Sequence, residues 1–180
     1  MDKAAQKLKY VARKLGWNIH ETTPSTRSIF DKLAVINAAN SQYSFFNESA
    51  SRSFPNTNIS TNQFERNEAL AIEAVCFFTS GEVGKPNLPV PYVGNGNVNI
   101  IIGSQIVAKD MPVKFITTQG TSKNSGSYGV INLAMPVVIP PLVSFRVELT
   151  GADALDPIVF ENIGCYLYGM GLLLNFKTGL

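Results

Sequence analysis

Histidine is nearly absent from this chain. His20 stands alone among 180 residues, with two cysteines and one tryptophan beside it. A single histidine excludes a histidine-rich metal site, and no His/Cys cluster at zinc-ligand spacing occurs. His20 also lies in a polar stretch, where a solvated side chain is the ordinary outcome, so a Ser–His or Cys–His dyad finds no support. Cys76 and Cys165 sit in apolar runs far apart in sequence. They read as buried free thiols, since a disulfide needs two facing neighbours. Charge is scarce as well, at 16% of residues against roughly 25% in ordinary domains. A body so poor in charge, yet rich in Asn, Ser and Thr, points to surface buried against other chains rather than to a monomer. The N-terminus has no apolar core behind its positive residues and does not read as a secretion signal. The two long uncharged runs, 86–108 and 124–145, are broken by Pro89, Pro91, Gly94, Gly96, Pro136, Pro140 and Pro141, which rules out membrane helices there. Without a secretion signal, the sequons at Asn47 and Asn58 read as chance matches.

What charge there is collects at the start. Residues 1–16 carry Lys3, Lys7, Lys9, Arg13 and Lys14 against one acid, Asp2, while the rest of the chain holds ten basic and twelve acidic residues. Ala4, Leu8, Val11 and Leu15 recur at helical spacing, which predicts a short amphipathic helix with a narrow apolar stripe beside a basic face, stopped by Gly16. Two arrangements fit this pattern. The helix is a tether to something anionic or to a neighbouring subunit, or it packs on its own domain with its lysines solvated.

A polar connector, 17–27, leads into a body of 28–180 that reads as strands almost to its end. Period-two runs bounded by turn residues fall at Ser28–Ile36, Tyr43–Phe46, Glu68–Thr79, Val98–Ile102, Gln105–Ala108, Pro112–Thr118, Tyr128–Leu133, Phe145–Thr150 and Ile163–Phe176. In the third run the alternation places Leu70, Ile72, Ala74, Cys76 and Phe78 on one face. Gly103-Ser104 is a two-residue hairpin signal. Pro136 to Pro141 reads as an extended lead-in to the Phe145 strand, and Ile163–Phe176, apolar on both faces, reads as central. Ten prolines and fourteen glycines punctuate these runs. The expected fold is all-β: a single jelly-roll β-sandwich of about eight strands with an N-terminal amphipathic α-helical arm. An immunoglobulin-type sandwich is the runner-up, weakened by the lack of a Cys…Trp…Cys pattern.

No motif carries catalysis. Gly81-Glu-Val-Gly-Lys85 is too short for a phosphate loop and Pro86 stands where Ser or Thr is required. Asp153 and Asp156 read as a turn after the Phe145 strand, because two carboxylates make no calcium loop. Glu65, Glu68 and Glu73 could act as acids only if buried, and Glu68 and Glu73 fall on different strand faces. Tyr43, Phe45 and Phe46 would stack on sugars or bases if exposed, but rings of this size mostly fill cores.

Three stretches carry a resemblance: Asn99-Ile-Ile-Ile-Gly-Ser through Lys109-Asp-Met-Pro-Val-Lys114, Pro136-Val-Val-Ile-Pro-Pro-Leu-Val-Ser-Phe-Arg-Val-Glu-Leu149, and Cys165-Tyr-Leu-Tyr-Gly-Met-Gly-Leu-Leu-Leu-Asn175. Together with the basic arm they resemble the small single-jelly-roll capsid proteins of icosahedral bacteriophages, over the last two-thirds of the chain. The likeness is one of pattern, and no functional residue transfers from it. It implies a virion structural protein, made in the host cytoplasm, that self-assembles as a major, penton or auxiliary shell subunit. Its expected partners are copies of itself and other capsid proteins, with no cofactor and no small-molecule substrate. The arm residues Lys3, Lys7, Leu8, Lys9, Val11, Arg13, Lys14 and Leu15 would face packaged nucleic acid, an internal membrane or a neighbouring subunit. The alternative is a lectin-like jelly-roll module that binds carbohydrate through exposed aromatics; it explains a sandwich but not the arm.

Overall fold

The central strand of the molecule is built from two runs that the chain separates by some eighty residues. β3 (Glu68–Ser80) pairs antiparallel with β9 (Asn162–Leu174) along its length. The computed structural model describes residues 3–36, 39–47, 54–59, 61–80, 90–91, 94–113, 129–157 and 159–175. The other strands are β1 (Thr22–Ala34), β2 (Gln42–Phe45), β4 (Val90–Pro91), β5 (Asn97–Ile102), β6 (Gln105–Pro112), β7 (Gly129–Ile139) and β8 (Phe145–Thr150), preceded by one helix, α1 (Lys3–Leu15). One sheet runs β1-β9-β3, with β7 and the two-residue β4 sharing the far edge of β3; the other runs β2-β8-β5-β6. Every pairing is antiparallel. The protein is thus an all-β two-sheet structure with an N-terminal helix.

Four of the ladders are nested. β5 and β6 form the hairpin across Gly103-Ser104. In adjoining parts of the chain β3 pairs β7, β2 pairs β8, and β1 pairs β9. Successive ladders lie alternately in the two sheets, so their inner faces meet. Ile29, Phe45, Leu70, Ile72, Phe77, Ile100, Phe145, Val147, Leu149, Ile163 and Leu167 fill the space between them. Phe64 stacks on Phe145 with ring centroids 5.6 Å apart, and Phe45 tilts against Phe77 at 5.7 Å. β8 alternates as its sequence predicts, with Phe145, Val147 and Leu149 buried.

Three expectations change. The connector is shorter, because β1 begins at Thr22, where it pairs with Leu174. The polar run Thr22–Arg27 supplies backbone to the second half of β9, and as an edge strand it tolerates polar side chains on both sides. Tyr128–Leu133 and the Pro136 lead-in are one strand, β7, in which Leu133–Pro136 loop out against β3: Ile72 pairs with Val137 but Ala74 with Asn132. Pro136, which lacks an N–H, sits within that irregularity. Finally, Glu73 is an extra residue in β3 relative to β9, since Ile72 pairs with Gly169 and Ala74 with Tyr168. A bulge reverses the side-chain phase beyond it. Leu70 and Ile72 point into the core, and so do Val75 and Phe77. Cys76 and Phe78 therefore face outward, not inward as simple alternation predicts. Of the remaining expected elements, the Pro112–Thr118 strand lies outside the described residues beyond Val113, as do the Gln119–Ser127 loop, Tyr128 and Phe176.

The free edge of β1 is covered over its second half. The Phe30 N–H donates to Asn58 Oδ1 (2.7 Å), Asn58 Nδ2 donates to the Ser28 carbonyl (3.0 Å), and the Lys32 N–H donates to the Asn56 carbonyl (2.8 Å). One of the two sequon asparagines thus imitates a strand and blunts an edge open to other chains.

Candidate functional site

The helix ends as its sequence predicts. The Trp17 N–H donates to the Ala12 carbonyl (2.8 Å) and the Gly16 N–H to the Arg13 carbonyl (3.2 Å). This double bond pattern requires a left-handed residue at its corner, and Gly16 has φ +69°. The turn folds Trp17 back beside the helix's last apolar residues.

α1 lies on the outer face of the five-stranded sheet. Val11 is fully buried, and Leu8, Leu15 and Trp17 pack with it on Ala69 and Ala71 of β3, Val138 of β7, and Met170 and Leu172 of β9. Two alanines at the centre of this seat let the helix approach closely. A second contraction lies below: a Cβ on Gly169 would stand 1.9 Å from the Ala71 carbonyl oxygen, so only glycine allows β9 to pass the bulge. Lys7 reaches the bulged Glu73 with an Nζ–Oε1 distance of 2.9 Å. Of the expected arm residues, Leu8, Val11 and Leu15 meet the chain's own sheet. Lys9, Arg13 and Lys14 are exposed. Lys3 starts the helix, and its side chain lies outside the described residues, as does that of Ala4. Of the two arrangements the sequence allows, the helix packed on its own domain is the one found; as a free tether its stripe would be exposed.

Beside α1 the same sheet face carries a row of rings. Tyr166 lies 5.4 Å from Phe30, 4.7 Å from Phe78 and 5.7 Å from Tyr168, measured between centroids. Burial, with the adjacent Cys76 thiol, pushes the Tyr166 phenol up. Between this row and the helix runs a trough of about 530 Å³, crossing four strands and lined by Thr26, Glu73, Asn132, Tyr168 and Met170. Tyr168 is 43% exposed at its wall. A second groove of about 310 Å³ opens on the flank between Tyr10 and Lys14 of α1, Val107 of β6 and Met135 of β7. Tyr10, Val107 and Met135 are 41%, 43% and 62% exposed there. The period-two spacing of Tyr166 and Tyr168 was visible in sequence. The trough was not, because it exists only where the Glu73 bulge and the β7 irregularity meet.

The remaining sequence candidates have structural partners. His20 is exposed in a single helical turn, Ile19–Glu21, whose start is capped when Asn18 Oδ1 accepts the His20 N–H (3.1 Å). Glu68 pairs with Arg27 at 2.9 Å, and the Arg27 guanidinium lies 5.0 Å from the Phe64 ring centre. Asp153 accepts from the Asn95 N–H (2.9 Å) and from Asn95 Nδ2 (2.8 Å), tying two loops at one end of the sandwich. Tyr43, Phe45 and Phe46 are buried, so these rings are core and offer no stacking surface. Cys165 lies in the sandwich core while Cys76 faces outward from the neighbouring strand, so no disulfide can join them. Burial raises the Cys76 thiol to about 11 and Cys165 well above its usual value. Gly81–Lys85 and Asn47's sequon partners lie outside the described residues. Among the described residues, no three His, Cys, Asp or Glu side chains come together to hold a metal, and no helix is long and apolar enough to cross a membrane. No family model matches the chain, and no curated protein matches it in sequence.

Proposed function

We propose that the chain is a virion structural protein, a self-assembling single-jelly-roll capsid subunit of an icosahedral bacteriophage. The nesting of the β5–β6, β3–β7, β2–β8 and β1–β9 ladders supports the jelly-roll assignment, since that fold is a long hairpin rolled into two sheets. Its eight principal strands leave β4 as an accessory.

The observation that carries the functional reading is the placement of α1. Its apolar stripe is consumed by the chain's own sheet, so Lys9, Arg13 and Lys14 stand outward on one face of the sandwich while an apolar groove opens on the flank. A shell subunit needs such a division: one charged face for cargo and uncharged flanks for neighbours. Packaged nucleic acid fits that face better than a membrane. Membrane binding by a short amphipathic helix needs its apolar side in the bilayer, which here would strip the cover from Ala69, Ala71, Val138 and Leu172. Contact with phosphates needs only the outward lysines and arginine and reads no base sequence. The lectin-like alternative loses its original support, because the rings it relied on, Tyr43, Phe45 and Phe46, are buried.

The test replaces Lys3, Lys7, Lys9, Arg13 and Lys14 by Gln. Particles should still form, while nucleic-acid retention and its salt sensitivity fall. Retention at the wild-type level with unchanged salt dependence contradicts the role given to the helix.

A further inference from the structure

Bulges in sheets re-aim side chains, and the bulge in β3 points Glu73 to the outer face, where Lys7 holds it at 2.9 Å. The carboxylate therefore enters the trough already matched by a cation. Thr26 and Asn132 add a hydroxyl and an amide, and Tyr168 adds a half-exposed ring. Lys7 and Lys14 stand seven residues apart on α1, two helical turns, and so share one flank. Lys7 meets the trough and Lys14 the neighbouring groove. The trough thus has a stacking platform on one wall and a basic helix flank on the other.

We propose that this trough seats single-stranded nucleic acid, with bases stacked on Tyr168 and phosphates along the basic flank of α1. The inference rests on the reading of α1 as a nucleic-acid face and adds the kind of strand it takes. Unpaired bases offer their π faces to an aromatic ring, whereas a duplex hides them within its stack; a basic track beside exposed aromatics is the common solution for single strands. A polypeptide strand would need an open ladder edge, but the trough runs across the strands, whose backbones are already paired. A neutral saccharide would use Tyr168 and leave the cations of the helix flank unmatched.

The experiment measures binding of the full chain to a labelled oligothymidylate of about twenty nucleotides and to a duplex of equal length, at salt from about 50 to 200 mM. Tyr168→Ala should weaken single-strand binding about tenfold and leave duplex binding unchanged. Tyr168→Phe, which keeps the ring, should restore it, and thermal melting checks that all variants fold. A combined Lys9→Gln, Arg13→Gln and Lys14→Gln variant should weaken both ligands. If Tyr168→Ala binds the single strand like the parent while the charge variant loses both ligands, the α1 reading stands and the trough inference is overturned. If the parent binds neither nucleic acid, the α1 reading fails and takes the inference with it. Calorimetric heat with cellohexaose that Tyr168→Ala abolishes, without single-strand binding, assigns the trough to sugar and overturns the inference as well.

Discussion

Asp31 shows how a charged residue earns a place in an apolar strand. It is buried in β1, and its Oδ2 accepts the Phe46 N–H at 2.6 Å where the chain leaves β2 with φ +58°. Replacing Asp31 by Ala leaves that buried N–H without its acceptor and should lower stability by about 1.5–3 kcal/mol, measured by urea denaturation. The cysteines give a second prediction. Both are buried and held neutral by the fold, Cys76 up to about 11 from an ordinary value of 9.0. In the unfolded chain the thiols ionise near that ordinary value, so folding stability should be insensitive to them below it and fall as pH rises from about 9 toward 11. Cys76→Ala should flatten that decline. A slope unaltered by the substitution would show that other groups set the alkaline limit. The burial of both thiols was legible in their apolar neighbours. Their placement on opposite sheet faces was not, because the intervening phase reversal lies at Glu73.

At the scale of elements, α1 was the most legible and β3 the least. Helical spacing, the Gly16 stop and the basic face are local properties, and each appears where the sequence puts it. What the helix sits on is a long-range fact: Ala69, Ala71, Val138 and Leu172 come from three strands. The β3 bulge is equally nonlocal, since it is defined by register against β9 and β7, and period-two alternation cannot announce it. The energetics of the helix seat follow from burial. Val11→Ser should cost about 2 kcal/mol, the worth of a fully buried valine side chain. Lys7→Gln should cost less than about 1 kcal/mol, because the Lys7–Glu73 pair is half in solvent. Thermal unfolding of the two variants separates them; a larger loss from Lys7→Gln than from Val11→Ser would mean that charge, rather than the apolar stripe, holds the helix down.

For the whole molecule, strand content was legible in the alternating runs and their glycine and proline boundaries, whereas strand order was not. Nothing local tells Thr22–Ala34 that it will pair with Asn162–Leu174, and its polar first half read as connector for that reason. The scarcity of charge is a whole-molecule property too, and it leads to the central claim. With 16% charged residues and exposed Tyr10, Val107 and Met135 around one flank groove, the chain is suited to repeated contacts with its own copies. The most direct measurement is the mass of the native assembly, by light scattering coupled to size exclusion over a wide range of protein concentration. The account predicts closed oligomers such as trimers or pentamers, or complete shells, persisting on dilution. A stable monomer at the highest concentration reached would contradict it.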